Sequence, residues 1–419
     1  FVIATSRGMG KVPTEEQAEV ALLDVRAASL MASIRMSEAA LRDLSADTIA
    51  RVDAWDPERD AVVISTIFST GRPIAGRPIL GARPAAWQAL EDKTVIDELW
   101  DEIGVERAPY KVLPIAELEG AAPALDQGLG TVWAGDMREG FHGGATYLRW
   151  VRTPEDAAEA LAHLGKDCDT ARIMPFLEGI PCSIHGIVFP DYVVALRPCE
   201  MLVLRTPGKS TLTYARAATF WDPPAVDAEA MRTMARKVGT HLRARFGYRG
   251  AFTLDGIMTA DGFRPTELNP RFGAALGALT KSIPGLPMVL LNHIIVEGYE
   301  LDYRPRTLER LILGHAELQR FGAAATVSRK PVHETTELDG VFEDGEWREA
   351  RPGEPVDGEF MLGPSAVGSY LFILLGPERT PVGPSVAPRV AAALAFADAR
   401  WDLGLGPLEA AKDVRRETP

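Results

Sequence analysis

Apolar residues recur every three or four positions from Asp227 to Phe246, where Met231, Met234, Val238, Leu242 and Phe246 fall on one face. That spacing predicts an amphipathic helix with its stripe in a core. A second helix is predicted over 154–164, opened by Thr153 as N-cap with Glu155 and Asp156 in its first turn. Helical patterns also cover 16–41, 85–103 (closed by Gly104), 287–298 and 388–401. Strand-like runs lie at 1–5, at the β-branched stretch 61–68, in short pieces between 110 and 189, and at 211–220. The clearest β signal is a hairpin. Two alternating segments, 251–258 and 263–268, flank Thr259-Ala260-Asp261-Gly262, and Asp-Gly favours a tight turn.

These patterns divide the chain into an N-terminal α/β region (1–84), a central region (85–304) and a tail of short strands and Gly/Pro turns (305–419). A length of 419 residues exceeds what one core usually serves, which agrees with that division. The net charge of −13 argues against a broad nucleic-acid surface. The apolar run 390–397 is too short to span a bilayer, so neither nucleic acid nor membrane is expected as a partner. No signal-peptide pattern opens the chain, which starts at Phe1 without an initiator Met, and a few upstream residues are expected to precede it. Cys168, Cys182 and Cys199 are too few and too scattered for a zinc site or disulfide framework, and they suit buried thiols in a cytoplasmic protein.

The hairpin carries the strongest candidate chemistry. Glu267 and Asn269 are two apart on one strand and share a face, with Asp255 on the neighbouring strand. Two carboxylates and an amide oxygen make a hard, anionic, all-oxygen set suited to Mg²⁺, with Mn²⁺ as an alternative. Arg271 follows two residues later, Pro270 stiffens the exit and Gly273 opens the backbone. The competing reading is a hairpin whose acids are merely solvated. Gly208-Lys209-Ser210 looks like the end of a P-loop, but Val203 stands where the required glycine belongs.

The stretch Thr266-Glu267-Leu268-Asn269-Pro270-Arg271-Phe272-Gly273, preceded by Phe252-Thr253-Leu254-Asp255, resembles the signature of the ATP-grasp superfamily of carboxylate–amine ligases. The resemblance extends over roughly 85–300. It implies an α/β (α+β) ATP-grasp fold with an N-terminal pre-ATP-grasp domain, a small ATP-binding subdomain at about 105–175, the catalytic hairpin at 251–273 and a C-terminal β-rich extension. It implies ATP and Mg²⁺ as cofactors, with Asp255, Glu267 and Asn269 as metal ligands. Lys93 is then the early nucleotide lysine, and Gly140-Phe141-His142-Gly143-Gly144 is the loop over the phosphates, where glycine lets backbone N–H groups approach. Met174-Pro175-Phe176-Leu177 becomes the adenine hinge, with His185 on the strand beyond. Arg271 stabilises the acyl phosphate or tetrahedral oxyanion, and Arg249 holds a substrate carboxylate. The family's second lysine, before the glycine loop, is missing from Thr131-Val132-Trp133-Ala134-Gly135-Asp136, and Arg138 and Lys209 are the candidates to replace it.

The activity so implied is ADP-forming ligation of a carboxylate to an amine, both small molecules of the amino acid or peptide kind, by an enzyme that could be a homodimer. A carboxylase-like or nucleotide-precursor ligase is the alternative, and a non-catalytic ATP-binding protein is a third reading raised by the missing lysine.

Overall fold

The computed structural model describes residues 1–6, 13–66, 69, 71–138, 143, 145–281 and 283–416. They divide into two units, one of Phe1–Pro84, Ala323–Arg379 and Ala392–Gly406, the other of Ala85–Gly322, Thr380–Ala391 and Pro407–Pro419.

In the first unit, β1 (Val2–Ala4) pairs in parallel with β2 (Val20–Leu22), followed by α1 (Leu30–Arg42) and α2 (Ala46–Trp55). Ser29 and Ser45 cap the two helices by accepting backbone N–H bonds from Ala32 and Thr48. The run expected as a strand at 61–68 contributes only a single bridge, Val63 to Ile79, among the described residues.

The second unit opens with α3 (Ala85–Gln88), a 3₁₀ turn (Ala89–Glu91) and α4 (Ile96–Glu102). One helix was expected across this stretch. It breaks because the Asp92 carboxylate accepts bonds from the Thr94 amide (2.8 Å) and hydroxyl (2.7 Å), a local turn that competes with the helix. The strands β3 (Lys111–Pro114), β4 (Thr131–Gly135), β5 (Leu148–Val151) and β6 (Thr170–Pro175) form an antiparallel sheet in the order β3-β6-β4-β5. It packs against α5 (Leu118–Leu125) and α6 (Pro154–Asp167) through Leu118, Trp133, Leu164 and Ile173. Thr153 caps α6 by accepting from the Asp156 amide, as the sequence pattern indicates.

A larger antiparallel array follows, from β7 (Ile180–Val188), β8 (Val193–Arg205), β9 (Leu212–Ala218), β10 (Gly250–Thr259) and β11 (Gly262–Asn269), ordered β11-β10-β7-β8-β9. The long helix α7 (Ala225–Phe246) buries Met231, Val238 and Leu242 against Ile184, Phe252 and Leu254. Then come α8 (Ala274–Thr280), α9 (Met288–Glu297) and α10 (Pro305–Leu318). The unit continues past the expected 304/305 boundary for a physical reason. Glu309 of α10 is buried and accepts bonds from Tyr192 (2.6 Å), Arg232 (3.0 Å) and Arg236 (2.8 Å), which fasten the helix to β8 and α7.

The rest of the first unit is antiparallel, with β12 (Gly322–Ser328), β13 (Thr336–Glu343), β14 (Glu346–Glu349), β15 (Gly358–Pro364) and β16 (Ser369–Leu375) in the order β12-β16-β15-β13-β14. Trp347, Phe360 and Phe396 meet edge to face in its core, the last on α11 (Ala387–Trp401). Among the described residues no helix is long and apolar enough to cross a membrane.

Candidate active site

The β10–β11 turn sets the register locally, and that register assembles the site. Asp255 faces Glu267 and Thr253 faces Asn269, while across the other edge of β10 Asp255 faces Ser183 and Thr253 faces His185. Paired residues share a sheet face and so do residues two apart, so both rows lie on one side. Asn269 Nδ2 donates to Asp255 Oδ2 at 2.7 Å, and Arg271 Nη2 donates to Asn269 Oδ1 at 2.7 Å. Lys93 Nζ lies 3.0 Å from Glu267 Oε2, and Arg271 Nε lies 3.5 Å from Glu91 Oε1.

Burial, and then the neighbouring Glu267 charge, push the Asp255 carboxyl well above its usual range, with Arg271, Lys93 and the Asn269 bond pulling the other way. Two acids so placed favour a cation between them. The oxygens present fit Mg²⁺, which needs only one or two carboxylates when phosphates complete its shell. Among the described residues no group of three or more His, Cys, Asp or Glu side chains gathers to hold a metal. As oriented here, Asn269 turns its N–H to Asp255 and its oxygen to Arg271, so the amide could ligate a cation only by exchanging its Arg271 bond.

Glu91, Asp92 and Lys93 reach three different parts of the site from consecutive positions. Glu91 meets Arg271, Lys93 meets Glu267, and Asp92 Oδ2 accepts the Met137 N–H at 3.1 Å, at the base of the glycine-rich loop. Of that loop, Gly143 accepts from the Thr146 amide and hydroxyl, whereas Gly140, His142 and Gly144 lie outside the described residues. Sequence reading singled out Lys93 and passed over its two neighbours.

No lysine stands on β4, but Ala134 is paired with Arg172 on β6, which brings a guanidinium to the same face. Arg172 is almost wholly buried, bonds the Thr266 carbonyl at 3.2 Å beside Glu267, and pairs with Asp97 at 2.6 Å. Arg138, one of the expected replacements, pairs instead with Asp169 at 2.6 Å and bonds the Lys166 carbonyl.

Met174 and Pro175 end β6, and Leu177 follows half-buried. The Phe176 ring stacks on Trp150 at 4.1 Å, and Arg205 lies over both rings while bonding Glu178 at 3.1 Å. Trp150 was not visible as a hinge partner, because it lies on β5, 26 residues before Phe176 in the chain.

Two expectations are corrected. His185 is not open to a nucleotide: it is 1% exposed, bonds Thr253 Oγ1 (2.8 Å) and Ser183 Oγ (3.2 Å), and is covered by Gly273. Burial drives its pKa down to about 3, so the ring is neutral. Arg249 is engaged at the end of a helix. Its Nε donates to the Val296 carbonyl at 2.8 Å and its Nη2 to the Glu297 carbonyl at 3.3 Å, satisfying C-terminal carbonyls of α9 from a position just before β10, six residues ahead of Asp255.

On β9, Tyr214 pairs with Val203 and Ala217 with Met201, so three steps on β9 match two on β8. The extra residue makes a bulge, and within it Arg216 has φ +93°.

No protein-family model matches the sequence, and no curated protein matches it. Solved structures do resemble it. The ADP complex of PurK, an N5-carboxyaminoimidazole ribonucleotide synthetase, matches with a TM-score of 0.50 at 11% identity, covering 95% of this chain and 90% of that one. Pyruvate carboxylase from Rhizobium etli matches with a TM-score of 0.51 at 17% identity over 95% of this chain but only 34% of its own length, so this chain spans about a third of that enzyme. The biotin carboxylase domain of a Hydrogenobacter thermophilus 2-oxoglutarate carboxylase, solved with MgADP and bicarbonate, matches at 0.47 and 14% identity, over 79% and 74%. At these identities the likeness is one of fold.

Proposed function

From the ATP-grasp fold that this chain has, we propose that it is an ATP-dependent, ADP-forming ligase joining a carboxylate to an amine, both small molecules of the amino acid or peptide kind. The observation that carries the reading is the convergence of Asp255, Glu267, Asn269, Arg271 and Lys93 on one face of the β10–β11 hairpin. Asp255 and Glu267 would hold Mg²⁺ (or Mn²⁺), with Asn269 beside them; the ion's contribution is to neutralise phosphate charge. Lys93, now paired with Glu267, is placed to turn to a phosphate once a cation takes that carboxylate. Arg271, held by Glu91 and Asn269, presents its planar fork where an acyl phosphate or tetrahedral oxyanion would form. The protein's part in such phosphoryl transfer is chiefly positioning and charge neutralisation. Three buried, free cysteines support a reducing, cytoplasmic setting.

The test is a screen of amino-acid pairs for phosphate release with Mg-ATP, with mass analysis of the product. Glu267→Gln keeps the side-chain size and removes a charge, so product formation should fall on the order of 100-fold or more with the fold intact. A fully active Glu267→Gln enzyme would overturn the metal assignment. Phosphate release driven by bicarbonate alone would favour the carboxylase-like alternative.

A further inference from the structure

The hairpin that carries the acids is irregular at one place, and a side chain from another sheet holds it there. From the turn outward, Thr259 faces Gly262, Ile257 faces Arg264 and Gly256 faces Pro265. Beyond that point Asp255 faces Glu267 and Leu254 faces Leu268, so β11 has advanced by one more residue than β10. The extra residue is Thr266, a bulge. Continued unchanged, the register next to the turn would set Asp255 opposite Thr266 and Glu267 opposite Leu254, which packs in the core with Phe252 and Met231. A slip of one residue exchanges the two faces of a strand. The bulge absorbs the difference between the turn and the alternation that sets Leu268 against Leu254, and Glu267 comes to lie with Asp255.

Two contacts pin Thr266. Its hydroxyl donates to the Asp255 carbonyl at 3.3 Å, and its own carbonyl accepts from Arg172 Nη1 at 3.2 Å. Arg172 belongs to β6 of the four-stranded sheet, whereas β11 edges the other array. The same guanidinium pairs with Asp97 at 2.6 Å and reaches Met174 Sδ at 3.2 Å, on the strand that leads into the expected adenine hinge. Asp97, on α4, also accepts from Arg107 Nε at 2.7 Å, so the anchor of Arg172 is itself fixed. A planar, many-donor guanidinium can hold a carboxylate and a backbone carbonyl at once. Lys93 also meets Glu267, but through the carboxylate, the group a cation would take. Arg172 holds the backbone next to that residue and keeps its hold when the carboxylate is engaged.

We propose that Arg172 is a positioning residue for the metal site: by clamping the Thr266 bulge it aims Glu267 at the ion, and it ties that aim to the strand that leads into the adenine hinge. The inference rests on the assignment of Glu267 as a metal ligand and on no choice of acid or amine.

Binding of Mn²⁺ to the full chain in the presence of ADP tests this without turnover, read from the electron paramagnetic resonance signal of the free ion. Arg172→Met should weaken Mn²⁺ binding about 10- to 100-fold, the usual effect of losing a group that orients a metal ligand. Asp97 keeps its Arg107 partner in that variant, so no buried charge is stranded and the chain folds. The deciding measurement is a double-mutant cycle with Glu267→Gln. An arginine that acts by aiming Glu267 has nothing left to aim in that background, so Arg172→Met should then change the affinity by less than about 2-fold. Thr266→Val, which removes the hydroxyl bond and keeps the side-chain shape, reaches the same bulge independently and should show the same dependence on Glu267. Equal losses in both backgrounds are what a purely structural part or a direct phosphate contact would give. They overturn the proposal alone, as does unaltered Mn²⁺ binding in Arg172→Met. A Glu267→Gln protein that binds Mn²⁺ as tightly as wild type overturns the metal assignment and the proposal with it.

Discussion

Replacing Gly273 by alanine places a methyl group where the structure has no room for one. Gly273 has φ −86° and ψ 157°, extended backbone that any residue adopts, so the cost is steric. The new Cβ would lie 2.4 Å from Thr253 Oγ1 and 2.9 Å and 3.1 Å from His185 Cε1 and Nδ1. Those two side chains are bonded to each other at 2.8 Å, and at 4% and 1% exposure neither can swing into solvent. Overpacking of this kind costs about 1–3 kcal/mol. Loss of a buried hydrogen bond adds about 1–3 kcal/mol, which puts the destabilisation at roughly 2–6 kcal/mol. Denaturant unfolding measures it, as a lower midpoint at unchanged slope. Thr253 pairs with Asn269, so the displacement should also reach the Asp255 bond and lower kcat/KM. Removing the obstructing oxygen with Thr253→Ala should make the two changes couple by about 0.5–3 kcal/mol in a double-mutant cycle. A Gly273→Ala protein within about 0.5 kcal/mol of wild type would refute the reasoning.

Three further outcomes are expected. Arg271→Lys loses the fork that now spans Asn269 and Glu91 and should reduce turnover by at least about 10-fold; near-normal rates would remove Arg271 from the chemistry. Asp97→Ala strands the buried Arg172 guanidinium and should cost about 3–5 kcal/mol in unfolding free energy, with a loss under about 1 kcal/mol contradicting the pairing. Glu200 is fully buried where it accepts bonds from Ser385, Val386 and Ala387, and burial raises its pKa from 4.5 to about 7. The folded chain then keeps a proton that the unfolded chain has lost, so stability should fall as pH rises from about 4.5 to about 7, by roughly 3 kcal/mol in all, and level off above. Unfolding free energies at about pH 5 and about pH 8 measure the slope, which Glu200→Gln should abolish; an unchanged slope would refute the assignment.

Local chemistry made part of this protein legible in the chain alone. The Asp261-Gly262 turn and the alternation around it determine that Asp255 meets Glu267, because a short hairpin leaves the register little freedom. Thr153 announces the start of α6, and the three-and-four spacing of Met231, Val238 and Leu242 announces the buried face of α7, since both depend on neighbours within one or two turns.

What the chain did not disclose is where long side chains end. Arg249 looked like a substrate ligand, yet the open carbonyls of α9 claim it. His185 looked like a nucleotide contact, yet the segment through Gly273 folds over it. The missing lysine of β4 left a question that only strand pairing addressed, by setting Arg172 opposite Ala134. The bulge at Arg216 and the stacking of Trp150 on Phe176 likewise required strands distant in sequence to be brought side by side. An arginine or tryptophan can reach several partners, and which one it takes is decided by the packing of elements that the local pattern of residues does not encode.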